Sequence, residues 1–200
     1  GLNCFMYKLH EISGTGLIEH QNDIMNLRMG VFREWPYLYE GEVEYEKQYL
    51  QPFIEHPESM CVLCLSPQNQ VVGISTAMPL AAEHRELTSP VKEHGLDIDE
   101  IYYLGESCIH PEHRGHGLYK HLFSKRLNKA QELGYKKALF CGVVRDPDHP
   151  HRPKNYTPLD NYWKSQGFEP IKDLYVYFEW QDIDKTEPTK KPLQVWLKSL

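Results

Sequence analysis

Residues 110–123, HPEHRGHGLYKHLF, place Gly115 and Gly117 one residue apart, after Arg114 and before an apolar run with helical spacing. The strand-like EIYYLGESCIHP leads in, and the helix-like GLYKHLFSKRLNKAQELGY leads out. When a loop opens a helix in this way, the first helical N–H groups have no intrahelical partner and point into the loop. The helix dipole adds partial positive charge there. Glycines let the backbone approach a ligand with no Cβ in the way. Such a segment could cradle a phosphate or pyrophosphate; the alternative is a structural turn rich in glycine. No G-K-[ST] follows, and Lys120 stands where the third glycine of G-x-G-x-x-G would fall, so the loop carries neither of those nucleotide fingerprints.

Two other stretches hold residues capable of chemistry. In DPDHPHRP, Asp146, Asp148, His149 and His151 are metal-ligand types. A proline-stiffened segment rarely converges into a site by itself, so no metal is expected. Cys61 and Cys64 form a C-x-x-C, but inside the strand-like MCVLCLS, where cysteine behaves as a small buried hydrophobe. With Cys4, Cys108 and Cys141 the count is five, odd and without framework spacing, which suits a reducing cytosol.

These residues need a scaffold, and the chain has the means to build one. Two hundred residues suit one domain with a real core, read here as spanning 1–200. Forty per cent hydrophobic and 25% charged residues describe a globular composition, and the formal charge of −6 argues against a general nucleic-acid binder. No apolar run reaches the ~20 residues that a bilayer span requires, and no signal peptide is visible, so a cytoplasmic location without membrane contact is expected.

Along the chain, strands are expected at CFMYKLHEI, MCVLCLS, QVVGISTAMPL, EIYYLGESCIHP, KKALFCGVV, IKDLYVYFEWQDI and PLQVWLKSL. Helices are expected at GLIEHQNDIMNLRMGVFREW, at residues 43–54, within 81–100, at the run after Gly117 and at PLDNYWKSQGF. Leu118, Leu122, Phe123, Leu127, Ala130 and Leu133 form one apolar stripe, and Gly134 supplies the stop. The mixture predicts an α/β (α+β) single domain with at least one parallel crossover.

The central segment resembles motif A of the GNAT superfamily of N-acetyltransferases, whose pattern is Q/R-x-x-G-x-G/A after a strand ending V-x-P-E. Arg114 and Gly117 match, while Tyr119 stands where a small residue is usual. Downstream, LGYKKALF and NYWKSQGF are similar to the family's fifth strand and its Y-x-x-x-G-F segment. Upstream, MCVLCLSPQNQVVGISTAM resembles its second and third strands. The register covers residues 60–180, with 1–59 fitting in outline. FREWPYLYEG and DHPHRPKNYTPLD are similar to segments of a bacterial subgroup of the family, which says little of the acceptor.

The resemblance implies a mixed, mostly antiparallel sheet of about seven strands, flanked by helices and splayed at a cofactor cleft. It implies acetyl-CoA as cofactor, its pyrophosphate on the amides of His113, Arg114, Gly115, His116, Gly117 and Leu118. Its pantetheine would pair with the backbone near Cys108 and Ile109. Direct transfer to an amine, without an acyl-enzyme, then needs a base, oxyanion donors and sometimes an acid for the thiolate. Glu106 is the expected base, since a carboxylate in an aromatic cleft can be tuned upward. Period-2 alternation puts Glu106 and Cys108 on one face and Ser107 and Ile109 on the other, without saying which face sees the cleft.

Relatives often carry an acidic tyrosine four residues before the glycine of G-F. Here that position is Trp163, expected to pack on the cofactor chain or core, and Tyr156 is the candidate acid. Trp35, Tyr37, Tyr39, Tyr45 and Tyr49 with Glu40, Glu42, Glu44 and Glu46 suit an amine acceptor, a small molecule or a peptide. The competing expectation is a CoA-binding or sensing module without catalysis. The final hairpin could complete the sheet or pair with a neighbour's edge strand to give a homodimer.

Overall fold

A computed structural model describes residues 6–200. Seven strands form one sheet in the order β1-β2-β3-β4-β5-β7-β6. They are β1 Lys8–Ile12, β2 Met60–Leu65, β3 Val71–Pro79, β4 Ile101–Ile109, β5 Lys137–Val143, β6 Glu169–Gln181 and β7 Pro188–Ser199. The helices are α1 Gln21–Val31, α2 Val43–Glu55, α3 Arg85–Glu93, α4 Leu118–Glu132 and α5 Asp160–Ser165. The expected sheet, mostly antiparallel with seven strands, is the one observed. The first expected helix divides into a 3₁₀ segment at Gly14–His20 and then α1. Cys4 and the start of the first expected strand lie outside the described residues.

All pairs are antiparallel except β4 with β5, which run parallel because α4 carries the chain back across the sheet. Apolar side chains pack on both faces. Leu17, Ile24, Leu50, Phe53, Met78 and Leu87 lie on the face covered by α1, α2 and α3. Leu118, Leu122, Phe123, Ala130, Phe140 and Phe168 lie on the face covered by α4. The stripe read along α4 is that buried face. Helix α4 ends as its sequence directs: Gly134 takes φ +82°, and the Tyr135 amide donates to Ala130 O at 3.0 Å. Cys61, Cys64 and Cys108 are buried within strands, as expected of core cysteines.

Two irregularities in the sheet shape everything that follows. First, β4 and β5 pair only at Ile101–Lys137, Tyr102–Ala138 and Tyr103–Leu139, then part. From Leu104 to Ile109, β4 is bonded to β3 alone. Second, Ala77 opposes Leu104 while Ser75 opposes Ser107, so Thr76 faces two residues, Gly105 and Glu106. This is a β-bulge, which turns side chains off the alternation of the strand. Tyr103 and Glu106 consequently reach the same cavity although they are three residues apart.

Glycine is required at the bulge: a Cβ on Gly105 would overlap Thr76 Oγ1 and stand 3.0 Å from the Tyr49 hydroxyl. Gly105→Ala should therefore destabilise the fold by about 1–3 kcal/mol, the usual cost of overpacking. Urea unfolding should show a lower midpoint with little change in slope.

Candidate active site

Glu106, 8% exposed, faces the α1/α2 side of the sheet, which answers the question that alternation left open. Its backbone amide donates to Thr76 Oγ1 at 3.2 Å, and that hydroxyl donates to Glu106 Oε2 at 2.8 Å. The Tyr49 hydroxyl also donates to Oε2. Arg28 Nη1 lies 2.8 Å from Oε1, which accepts no hydrogen bond among the described residues. The contact is thus a charge contact without hydrogen-bond alignment.

Arg28 is shared. Its Nε donates to Glu46 Oε1 at 2.7 Å, and its guanidinium lies 3.7 Å from the centroid of the Tyr49 ring. Tyr39 donates to Glu46 Oε2 at 3.0 Å. Burial alone would lower the ionisation of Arg28, but Glu106, Tyr49 and Glu46 together raise it well above its usual value, so it stays a cation. One guanidinium thus serves two carboxylates beneath the cavity, and buried Arg126 adds a second positive charge near Glu106 from behind the bulge. The cluster needs three elements: Arg28 from α1, Glu46 and Tyr49 from α2, and Glu106 from the bulge. On the opposite face, Arg126 of α4 donates to the carbonyls of Thr76 at 3.3 Å and Glu106 at 3.5 Å. Arg126 thereby satisfies bulge carbonyls that the ladder leaves short of partners.

Above the cluster lies a cavity of about 520 Å³ that reaches from Tyr103, Gly105 and Glu106 on β4 to Cys141 on β5. Tyr37, Tyr39, Tyr45, Tyr49, Phe178 and Trp180 give it aromatic walls. Its carboxylates are Glu83, Glu86, Glu106 and Glu179. Of the acidic residues expected on the N-terminal side, Glu42 and Glu44 are exposed, Glu40 pairs with Arg33 at 2.9 Å, and Glu46 is locked to Arg28. Burial pushes the Glu83 carboxyl above its usual range; the His84 amide and ring oppose the shift, and Glu106 and Glu86 add to it.

The glycine loop lies beside the parted end of β4. Gly115 and Gly117 take φ +85° and +75°, and a Cβ on Gly115 would meet nothing within 4 Å. Gly117 caps α4 at its N-terminus. The side chains of the loop are drawn backwards. Arg114 Nε donates to Ile109 O at 3.0 Å and its guanidinium reaches Glu34 at 3.3 Å. His113 Nδ1 lies 3.0 Å from the Tyr7 hydroxyl, and the His116 ring packs 5.4 Å from the Tyr7 ring. Leu118 is buried. What remains at the front is backbone at a helix N-terminus, and a pyrophosphate fits it.

Trp163 packs against Gly142, where a Cβ would stand 3.2 Å from its ring, and between Phe140 and Trp196. Its indole N–H donates to the Tyr119 hydroxyl at 3.2 Å. The two departures from the family pattern are therefore bonded to each other. Tyr156 packs edge-on to Trp35 at 6.2 Å and is not among the side chains lining the cavity. His149 also packs on Trp35, at 5.2 Å, and His151 lies 3.6 Å from Asp184. Among the described residues no helix is long and apolar enough to cross a membrane.

The parallel pair of the sheet parts beside a glycine loop and a helix N-terminus, an arrangement that can take an extended cofactor chain with its phosphates at the helix start. The sequence matches the model of the acetyltransferase (GNAT) family over residues 22–153, and the chain belongs to that family. No curated protein matches the sequence. Solved structures do. A GCN5-related N-acetyltransferase from Kribbella flavida superposes with a TM-score of 0.62 at 14% identity, covering 98% of this chain and 99% of that one. A GNAT superfamily phosphinothricin acetyltransferase from Sinorhizobium meliloti, in complex with AcCoA, gives 0.60 at 15% identity, covering 98% and 89%. A spermidine N-acetyltransferase from Vibrio cholerae gives 0.57 at 14%, covering 98% and 94%. At these identities the likeness is one of fold. The family assigns the activity: this is an acetyl-CoA-dependent N-acetyltransferase.

Arg28, Glu46, Tyr49 and Thr76 were not singled out together by the sequence, because Arg28 lies 18 positions from Glu46, and Thr76 and Tyr49 lie 30 and 57 from Glu106. Glu83 also yields a test. Its folded-state carboxyl holds a proton to higher pH than in the unfolded chain. Its contribution to stability is therefore intact below the ordinary carboxylate range and lost as pH rises through the folded value. Glu83→Gln should raise the Tm at about pH 7.5, and the gain should shrink toward zero near pH 4.

Proposed function

We propose that the acceptor is a small, cationic amine that binds in the ring-lined cavity, and that Glu106 takes its proton. The observation that carries this reading is the Arg28–Glu46–Glu106 cluster: two carboxylates against one guanidinium under a wall of aromatic rings. An ammonium gains from the lining carboxylates Glu86, Glu106 and Glu179 and from the ring faces. Glu106 Oε1 accepts no hydrogen bond among the described residues and faces the Arg28 guanidinium at 2.8 Å. A proton passed to it, directly or through one water, leaves the amine lone pair free to attack. Acetyl-CoA supplies the activated acetyl group. The amides from Gly115 to Leu118 are available to its pyrophosphate, whereas those of His113 and Arg114 are spent on His110 O and Pro111 O. Near Cys108 the β4 backbone is unpaired toward β5 and open to its pantetheine, while Ile109 O is taken by Arg114. A cavity of about 520 Å³ is the size of a small-molecule site.

Steady release of free CoA, followed against amines graded in charge and ring content, tests the assignment. Cationic small amines should be turned over, and anionic or neutral analogues should not. Tight acetyl-CoA binding without turnover across the panel would instead identify a binding module. Glu106→Gln should lower kcat by about 10²-fold near neutral pH and leave CoA affinity within about twofold. An unchanged pH–rate profile removes Glu106 from this role. Gly117→Glu should abolish CoA binding in calorimetry by placing a carboxylate against the pyrophosphate. Gly117→Ala, with the same backbone strain and no charge, should weaken it far less.

A further inference from the structure

We propose that Glu83 determines acceptor specificity by binding a second cationic group, so that the acceptor is a compact, diamine-type dication, a role that rests on the acceptor entering the ring-lined cavity. Four carboxylates line that cavity, and they are not alike. Glu86 and Glu179 are exposed, where water screens them. Glu106 meets the Arg28 guanidinium at 2.8 Å. The Glu83 side chain is only 6% exposed and has no Lys or Arg within ion-pair distance among the described residues. Its Oε1 accepts from the His84 amide at 3.0 Å, and the half-exposed His84 ring stands 3.9 Å from the same oxygen. Oε2 accepts no hydrogen bond among the described residues. Of the Lys and Arg side chains that line the cavity, Arg28 is held between Glu46 and Glu106, and Lys190 stands opposite Glu179 in the β6–β7 register.

A carboxylate taken out of water without a cation is costly, so it keeps a proton or pairs with a cation brought by a ligand. Burial raises the Glu83 carboxyl most, the His84 amide and ring oppose the shift, and Glu106 and Glu86 add to it. The titratable groups facing it are His84 and Glu86 from its own segment, Tyr45 from α2, Tyr103 and Glu106 from β4 and Cys141 from β5. An ammonium seated at Oε2 reverses the balance. The carboxyl gives its proton to solvent, and an ion pair forms beside the ring walls.

The backbone fixes where this happens. Glu83 follows the 3₁₀ turn Leu80–Ala82, and its amide donates to Leu80 O at 3.0 Å. His84 then caps α3, whose Leu87 and Val91 are fully buried. Glu83 therefore enters the cavity from the start of α3, and Glu106 enters it from the bulge of β4. A molecule spanning the two presents one nitrogen to each. An acceptor with one cationic group leaves Glu83 unpaired, and an acceptor with a carboxylate at that end is repelled.

Diaminopropane, diaminobutane and diaminopentane, each beside the alkylamine of the same length, are the probes. They are titrated by calorimetry into the protein with CoA bound. The wild type should bind the best of the diamines at least about 10-fold more tightly than its alkylamine. Glu83→Gln, which the stability test above expects to fold with a raised Tm, should reduce that ratio to about twofold, the advantage of two equivalent ends. In buffers of differing ionisation enthalpy, at weakly acidic to neutral pH, the diamine should release more protons than the alkylamine on the wild type and not on Glu83→Gln. A wild-type ratio of about twofold or less overturns the proposal. So does a preference that survives Glu83→Gln, or one that is lost in Glu86→Gln or Glu179→Gln and not in Glu83→Gln. The acceptor reading fails separately. A diamine preference that needs Glu83, with no amine turned over, keeps this site and removes Glu106 from proton transfer. Turnover of alkylamines with no diamine preference keeps Glu106 and removes Glu83. If none of the probes binds, both assignments fall.

Discussion

The extra residue in β4 opposite Thr76 is the constraint on which the site depends. A regular strand would pair Glu106 in sequence and keep Tyr103 and Glu106 on opposite faces. With Gly105 and Glu106 both set against Thr76, the Glu106 carboxylate turns toward α1 and α2 and meets Arg28. The bulge is held from both sides: Thr76 bonds the amide and carboxylate of Glu106, and Arg126 bonds the carbonyls at its back. Gly105 leaves the room in which Thr76 and Tyr49 approach. A buried charge cluster is a costly thing to build, and it stands only where every partner is in place.

The two halves of the reaction are served by different parts of the sheet. The glycine loop and the N-terminus of α4 present backbone, with the loop side chains tied behind to Glu34, Ile109 and Tyr7. The cavity presents rings and carboxylates to an amine. Between them, the parting of β4 and β5 after Tyr103 and Leu139 is where both meet. Arg145, held by Asp182, then fastens the Tyr37 segment that lines the cavity, 108 residues away from Arg145 in sequence. Preorganisation of this kind fixes donors and acceptors before the reaction and spares the cost of moving them during it.

Much of this was legible from local patterns. The seven strands, the stripe and glycine stop of α4, and the loop at Gly115 and Gly117 follow from periodicity and turn chemistry, which act within a few residues. Glu106 was identifiable by type and strand, but its face was not, because a one-residue bulge reverses the parity by which faces are counted. The acidic residues of the 40–46 segment looked like the acceptor's partners. The fold spends Glu46 on Arg28 and leaves Glu42 and Glu44 in solvent, so Glu83, Glu86 and Glu179 border the cavity with Glu106 instead. Trp163 at an expected tyrosine position was visible as a departure, and its bond to Tyr119 was not.

By itself the sequence determined the elements, because strand, glycines and helix start are written in short-range spacing, and its resemblance to the family supplied the class of cofactor. Only the tertiary structure decided which carboxylates line the cavity and which cation meets Glu106. Those depend on contacts such as Arg28 with Glu106, Tyr49 with Glu106 and Arg145 with Tyr37, joining segments whose separation in the chain carries no trace of their distance in space. Burial then gives these contacts their force, since a charge or hydroxyl withheld from water is governed by the few groups packed around it.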